Sequence, residues 1–272
     1  HQYAVIGAML GVVAAVMTLI CGLLTKERLM PKRAEKFSFQ QFADLVHNKA
    51  WLYMTAIAVC TNFFNGFRYA VAGYMFEYCL HGNVTIEGLI INYTVFMAFG
   101  EVTCMIFGGL SPVFTKTVGS KRMAFFWSAL LCCVLSIAFF FVPMSPEYIW
   151  VMIALVILTS IGIGIYSPLM WSMYADVADY HTEHFGTSAT GLIFSSGTMS
   201  QKFGTAISGS LIALFLGWAG ANMITDEMGN TMIDPTSITD SVLMMVWMLF
   251  SLFPAVIAFL LMILSYKFPI KK

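Results

Sequence analysis

Along the chain, apolar stretches alternate with short polar segments. They cover residues 3–24, 51–76, 86–110, 123–142, 148–170, 190–217 and 241–266. A helix needs about 20 apolar residues to cross the roughly 30 Å of bilayer hydrocarbon. The pattern therefore predicts seven transmembrane helices and an all-α membrane protein. A longer polar segment, 25–50, separates the first stretch from the rest. This predicts one helix over 1–24, a middle loop over 25–50 and a six-helix bundle over 51–272.

Within the segment Phe37–Trp51, Phe39, Phe42, Leu45 and Val46 recur at helical spacing among polar residues. That suits either a helix lying on the membrane surface or a loop packed beneath the bundle. Ser111-Pro112, Pro143 and Pro146 read as span ends, and Gly162, Gly164 and Pro168 as breaks inside the fifth span.

Composition agrees with the pattern: 59% of the 272 residues are hydrophobic, only 10% are charged, and mean hydropathy is +0.81. Soluble domains carry about 25% charged residues. Fourteen Lys+Arg balance fourteen Asp+Glu, which gives no basic face for nucleic acid. The six cysteines, all in apolar runs without C-x-x-C spacing, read as small buried hydrophobes. The first apolar stretch has no basic n-region or A-x-A site, so it reads as a span and not a signal peptide. A start at His1 without Met is what truncation would leave.

Charge position carries more than charge sum. Lys26, Arg28, Lys32, Arg33, Lys36 and Lys49 fall in the first loop, Lys116, Lys121 and Arg122 in the third, and Lys267, Lys271 and Lys272 in the tail. The positive-inside rule makes these loops cytoplasmic, with His1 outside and the C-terminus inside. Opposite loops hold Glu77, Glu87, Glu147, Asp226, Glu227, Asp234 and Asp240, and an Asn83-Val84-Thr85 sequon.

Three charged residues stand deep inside spans: Arg68, Glu101 and Lys202. Charge at membrane depth is costly and calls for a reason. Lys202 lies about 20 Å along its helix from the cytoplasmic end, too deep to snorkel easily. It shares a face with Gly191, Ser195, Thr198, Thr205 and Gly209. Such a stripe either packs closely on another helix or lines a wet cavity, and the lysine favours the cavity. Glu101, at similar depth, is a candidate partner of Lys202 or a proton carrier. Arg68 is nearer the outer end, where snorkelling is its default reading, although Asn62 and Asn65 on the same helix keep a polar face open.

After the fifth span, Asp176 and Asp179 share one side if helical. They suit a gate that closes on the Gly119–Arg122 turn and Lys116, or else a solvated acidic loop. No nucleophile, metal-ligand set or phosphate loop accompanies them, so an enzyme is not expected.

Trp171–Tyr180, Ala189-Thr190-Gly191 and Ser200-Gln201-Lys202-Phe203-Gly204 together resemble the signature of the glycoside-pentoside-hexuronide:cation symporter family, a branch of the major facilitator superfamily. The resemblance runs from residue 171 to 204, and the basic loop Ser111–Arg122 is similar to one found in major-facilitator repeats. It implies a twelve-helix carrier of which this chain supplies helix six, the middle loop and helices seven to twelve, with inverted repeats around a midplane site.

The resemblance also implies roles. Lys202 would border the sugar and cation sites, with Thr198 one turn before it on the sugar-facing side; helical spacing adds Ser195 to that face, and depth adds Glu101 to the region. Asp176 and Asp179, with Tyr180, Lys121 and Arg122, would form the cytoplasmic gate. A sugar or glycoside and Na+ or H+ would be the cargo. The coupling-ion carboxylates would lie in an N-terminal half, the lipid bilayer and that half would be the partners, and no cofactor is expected. The bacterial inner membrane is the implied location. The chain departs from the signature after Tyr180, where His181 and His184 stand in place of basic residues and could supply pH-dependent charge. A carrier of amphipathic lipids and a non-transporting scaffold are the alternative readings.

Overall fold

The computed structural model describes residues 2–25, 39–86, 88–225 and 231–270. Lys26, Arg28, Lys32, Arg33, Lys36, Phe37, Glu87, Asp226, Glu227, Lys271 and Lys272 lie outside the described residues. The chain forms two compact units, 1–38 and 39–272.

In the first unit, α1 spans Gln2–Leu24. From Val5 to Leu24 it is apolar all round and none of that stretch is buried. A helix with no polar face has no soluble solution and belongs in hydrocarbon. The Thr18 hydroxyl donates back to the Ala14 carbonyl at 2.8 Å.

The second unit is built from α2 (Phe39–His47), α3 (Lys49–Tyr74, continued by a π-helical turn over Met75–Cys79), α4 (Tyr93–Val118), α5 (Lys121–Phe140), α6 (Ile149–Phe185), α7 (Thr190–Trp218), α8 (Asp240–Phe250) and α9 (Leu252–Lys267). Helices α8 and α9 form one rod of 28 residues bent at Ser251. There the Ser251 hydroxyl donates to the Trp247 carbonyl, and Pro254 lies in the next turn. Two antiparallel hairpins complete the unit: β1 (Val84–Ile86) with β2 (Leu89–Ile91), and β3 (Met223–Thr225) with β4 (Thr231–Ile233).

Among the described residues, five helical segments are long and apolar enough to cross a membrane: α1, α4, α5, α6 with its 3-10 lead-in, and α8 with α9. The 26-residue α3 and 29-residue α7 match them in length but carry more polar faces.

Helix α4 packs on α6, α5 on α6 and α9, and α3 on α7 and α9. One buried cluster gathers Leu45, Met54, Phe125, Tyr166, Tyr174, Leu261 and Phe268. A second gathers Phe67, Phe76, Phe96, Phe139, Trp247 and Phe250 at the hairpin end. There the Tyr78 hydroxyl receives the Ile233 N–H at 3.0 Å, tying the extension of α3 to β4.

Several sequence expectations are corrected. The third apolar stretch does not start a helix at 86: residues 84–91 form the β1–β2 hairpin, turned at Gly88 with φ 84°, and α4 begins at Tyr93. Ser111-Pro112 does not end α4, which continues to Val118; there α4 is packed against α6, and the Ser111 hydroxyl donates across to the Ile165 carbonyl. Gly162, Gly164 and Pro168 do not break α6, which is continuous over 37 residues. Gly164 is a site of close approach: a Cβ there would lie 2.6 Å from the Cys104 carbonyl oxygen. The acidic segment after the fifth span is the last part of α6 and not a loop. Within Phe37–Trp51, α2 is helical and sets Leu45 into the core, while Phe42 and Val46 stay exposed. Of the cysteines, Cys79, Cys132 and Cys133 are buried, Cys60 and Cys104 half-buried, and Cys21 exposed.

Candidate functional site

The polar positions of α3 recur at helical spacing: Asn62, Asn65 and Tyr69, with Arg68 beside them. Where α3 meets α7 the backbones come close, since a Cβ on Gly204 would stand 2.7 Å from the Asn62 Cβ. Small residues at such a crossing let helices pack where lipid supplies no hydrophobic drive between them. Next to this crossing a groove of about 640 Å³ opens, lined by Asn62, Asn65, Gly66, Tyr69, Ala70, Thr205, Ser208 and Gly209. Ligand sites commonly fall in the range of about 300–1,000 Å³.

A second, much smaller pocket of about 10 Å³ lies between α3, α4 and α6. Asn65, Arg68, Tyr69, Gly100, Glu101 and Ser160 are among its walls. It sits where the two core clusters meet, with Val156 from one and Ile163 from the other. The Tyr69 hydroxyl donates to Oε1 of Glu101. Asn65 accepts from the buried Tyr166 hydroxyl at 3.4 Å. Arg68 is only 6% exposed, its guanidinium 5.7 Å from the Phe64 ring centre, with no hydrogen bond among the described residues. The snorkelling expected for Arg68 is thus replaced by burial within the bundle.

The α7 stripe lies open in this chain: Gly191, Ser195, Thr198, Lys202, Thr205 and Gly209 are all exposed. A second small-residue row, Gly197, Ser200, Gly204 and Ser208, is the buried one. Packing therefore uses one face of α7 and leaves the polar stripe uncovered. Lys202 has no ion-pair or hydrogen-bond partner among the described residues. It does not pair with Glu101, whose carboxylate is held by Tyr69. Thr198 donates back to the Phe194 carbonyl at 3.4 Å. Ser195 lines a different cavity of about 320 Å³, mostly apolar, with Phe42, Trp51, Val59, Met199 and Phe203.

At the opposite end from the hairpins, Gly119 ends α4 in the left-handed region at φ 83°. This turn brings Lys121 to the start of α5, where its ammonium lies 2.7 Å from Oδ2 of Asp176. Arg122 instead turns to the tail, donating to the Phe268 carbonyl at 3.4 Å and stacking over the Tyr266 ring. Asp179 is exposed and has no ion pair among the described residues. Tyr180 stacks on His184 with ring centres 3.8 Å apart. His181 is fully buried, its Nδ1 3.2 Å from Nδ2 of Asn48, the residue that caps α3.

No group of three or more metal-ligating side chains occurs among the described residues. The site offers hydroxyl, amide, guanidinium, ammonium and carboxylate groups, all able to hydrogen-bond a polar molecule. Residues 1–272 all match the family described as MFS/sugar transport protein. The chain belongs to that family. It is 27% identical over 216 residues to the inner membrane symporter YicJ of Escherichia coli, covering 78% of this chain and 44% of that protein. It is 28% identical over 224 residues to the putative glycoside/cation symporter YagG of the same organism, covering 80% of this chain and 46% of that protein. Over a shorter 114 residues, 41% of this chain and 24% of the relative, identity to the E. coli glucuronide carrier protein homolog reaches 34%. The chain spans about half the length of the first two relatives. As a member of the MFS/sugar transport family, it is a multi-pass α-helical membrane protein.

Sequence reasoning noted Asn62, Asn65 and the stripe positions Thr205 and Gly209 but passed over Tyr69, Ser208 and the burial of Arg68. The signal was present in the polar spacing of α3.

Proposed function

We propose that this chain forms one side of the translocation pathway of a sugar or glycoside:cation symporter. The observation that carries this reading is the polar groove between α3 and α7. Asn62, Asn65, Tyr69, Thr205 and Ser208 line it within otherwise apolar helices, a costly arrangement unless polar cargo uses it. Its size suits a sugar, and amides and hydroxyls are the groups that bind sugar hydroxyls. Lys202 and Thr198 would face the same pathway from the uncovered stripe of α7, completed by an N-terminal half across from it.

In this reading the end carrying α2, Lys121 and Asp176 is cytoplasmic, as the basic loops require. The hairpins then face outward, the membrane is the bacterial inner membrane, and the Lys121–Asp176 pair is part of the inner gate. The coupling ion is Na+ or H+. The test is counterflow in proteoliposomes holding the full-length carrier, preloaded with methyl β-glucoside or methyl β-glucuronide. Exchange of either labelled glycoside supports the reading, and its loss in Asn65→Leu would tie exchange to the groove. No exchange of either would count against it.

A further inference from the structure

The mostly apolar cavity of about 320 Å³ that Ser195 lines is bounded by α2, α3 and α7. On α7, Met199 and Phe203 of this cavity stand to one side of the buried row Gly197, Ser200, Gly204 and Ser208, and Thr205 and Gly209 of the polar groove stand to the other. The cavity therefore opens away from the groove. Phe42, Met199 and Phe203 are exposed on its rim, and an apolar rim of that kind on membrane helices faces hydrocarbon.

Most hydroxyls on its walls are already used. Ser196 takes the Trp51 indole N–H at 2.8 Å and donates to the Ile193 carbonyl, while Ser200 donates to the Ser196 carbonyl. A sugar would find few partners here, and an alkyl chain needs none. The α7 wall from Leu192 to Phe203 runs about 16 Å at 1.5 Å per residue. That is about half of the roughly 30 Å hydrocarbon core, the depth of one leaflet and so of one acyl chain.

The mouth lies where α3 and α7 both begin, since Trp51 and Leu192 each belong to the first turn of their helix. The positive ends of two helix dipoles are thus at this level. Lys49, which opens α3, is exposed. Helix α7 starts from Ala189 with no side-chain cap, leaving its first N–H groups for an outside acceptor. One turn deeper than Trp51, the shielded Thr55 hydroxyl has no hydrogen-bond partner among the described residues. Helix α2 adjoins the mouth with Leu45 turned inward and Phe42 and Val46 outward, as in a helix lying at headgroup level.

We propose that this cavity binds one acyl chain of an anionic phospholipid from the leaflet at the α2 end. Lys49 and the α7 N-terminus hold the phosphate, and Thr55 donates to an ester carbonyl. The lipid pins α2 to the seam between α3 and α7. The site stands whether or not the groove carries glycosides.

The experiment uses the full-length carrier purified in mild detergent. Native mass spectrometry during titration with phosphatidylglycerol should show one lipid retained more tightly than the rest, and phosphatidylcholine should not replace it. Lys49→Gln should weaken that retention about fivefold, and Leu192→Trp, which fills the mouth, should abolish it. Phosphatidylglycerol brominated along its chain should quench the part of the fluorescence that Trp51→Phe removes. A wild type that retains no such lipid, or a Leu192→Trp variant that retains it unchanged, overturns the proposal. Displacement of the lipid by glycerol 3-phosphate would mean a phosphate site without a chain, and overturns it too. If Leu192→Trp fails to insert, the fluorescence decides, and an unquenched Trp51 overturns the proposal.

Discussion

The ammonium of Lys121 and the carboxylate of Asp176 meet at 2.7 Å, fastening the start of α5 to the final third of α6. Their side chains are 28% and 13% exposed, so each screens the other from an incompletely solvated setting. A double-mutant cycle with Lys121→Met and Asp176→Asn should give a coupling energy of about 0.5–3 kcal/mol. In the full-length carrier, Asp176→Asn should alter transport turnover far more than equilibrium glycoside affinity. Loss of affinity with unchanged turnover would move Asp176 from the gate to the binding site.

Lys202→Met should leave membrane insertion intact and abolish coupled uptake. A lysine facing lipid at this depth would cost about 2.5–3.5 kcal/mol on insertion scales, so a lipid-facing lysine replaced by Met should raise expression with uptake unharmed. Quantitative membrane yield and uphill uptake, measured on the same variant, separate the two.

Asn48 does two things: its Oδ1 accepts from the Ala50 and Trp51 N–H groups, at 2.9 and 3.2 Å, and its Nδ2 faces His181. Asn48→Ala should cost about 1–2 kcal/mol through the lost cap. Asn48→Asp keeps an acceptor for the cap and removes the amide group that faces His181. Thermal unfolding in detergent should therefore place Asn48→Asp between wild type and Asn48→Ala at neutral pH. Equal losses would mean that the cap contributes nothing.

Gly164→Val forces side-chain atoms against the Cys104 backbone, where a Cβ alone would already stand at 2.6 Å. Overpacking of this kind costs about 1–3 kcal/mol, and the backbone neighbour cannot rotate away. The same change at Gly109, which has open space around its Cβ position, should be tolerated. Comparable melting temperatures for the two variants would contradict the packing of α4 on α6.

The long helices were legible because hydrocarbon thickness imposes a length that composition reveals. The start of α4 was not, since 86–92 is as apolar as a span. The β-branched residues Val84, Thr85, Ile86, Ile90 and Ile91 around Gly88 carried the hairpin signal that hydropathy masked. Proline and glycine misled inside α4 and α6 because neighbouring helices, not local propensity, decide continuity there. The stripe of α7 was legible as a face, but spacing alone could not tell which of two small-residue rows would be buried. Arg68 was misread for the same reason: depth along a helix is visible in sequence, and rotation about its axis is not.

Helix α6 is a single uninterrupted rod of 37 residues, about 55 Å long at 1.5 Å per residue. Any tilt of such a rod is magnified at its ends. Seated on Cys104 near its middle, a tilt of about 10° would swing either end by roughly 5 Å, from that same length. Asp176, about 18 Å beyond that seat at 1.5 Å per residue, would move by roughly 3 Å, as much as the 2.7 Å that separates it from Lys121. A small rocking motion beside Ser160 and the water-sized pocket would thereby be enough to unlatch a contact more than two helical turns beyond the fulcrum.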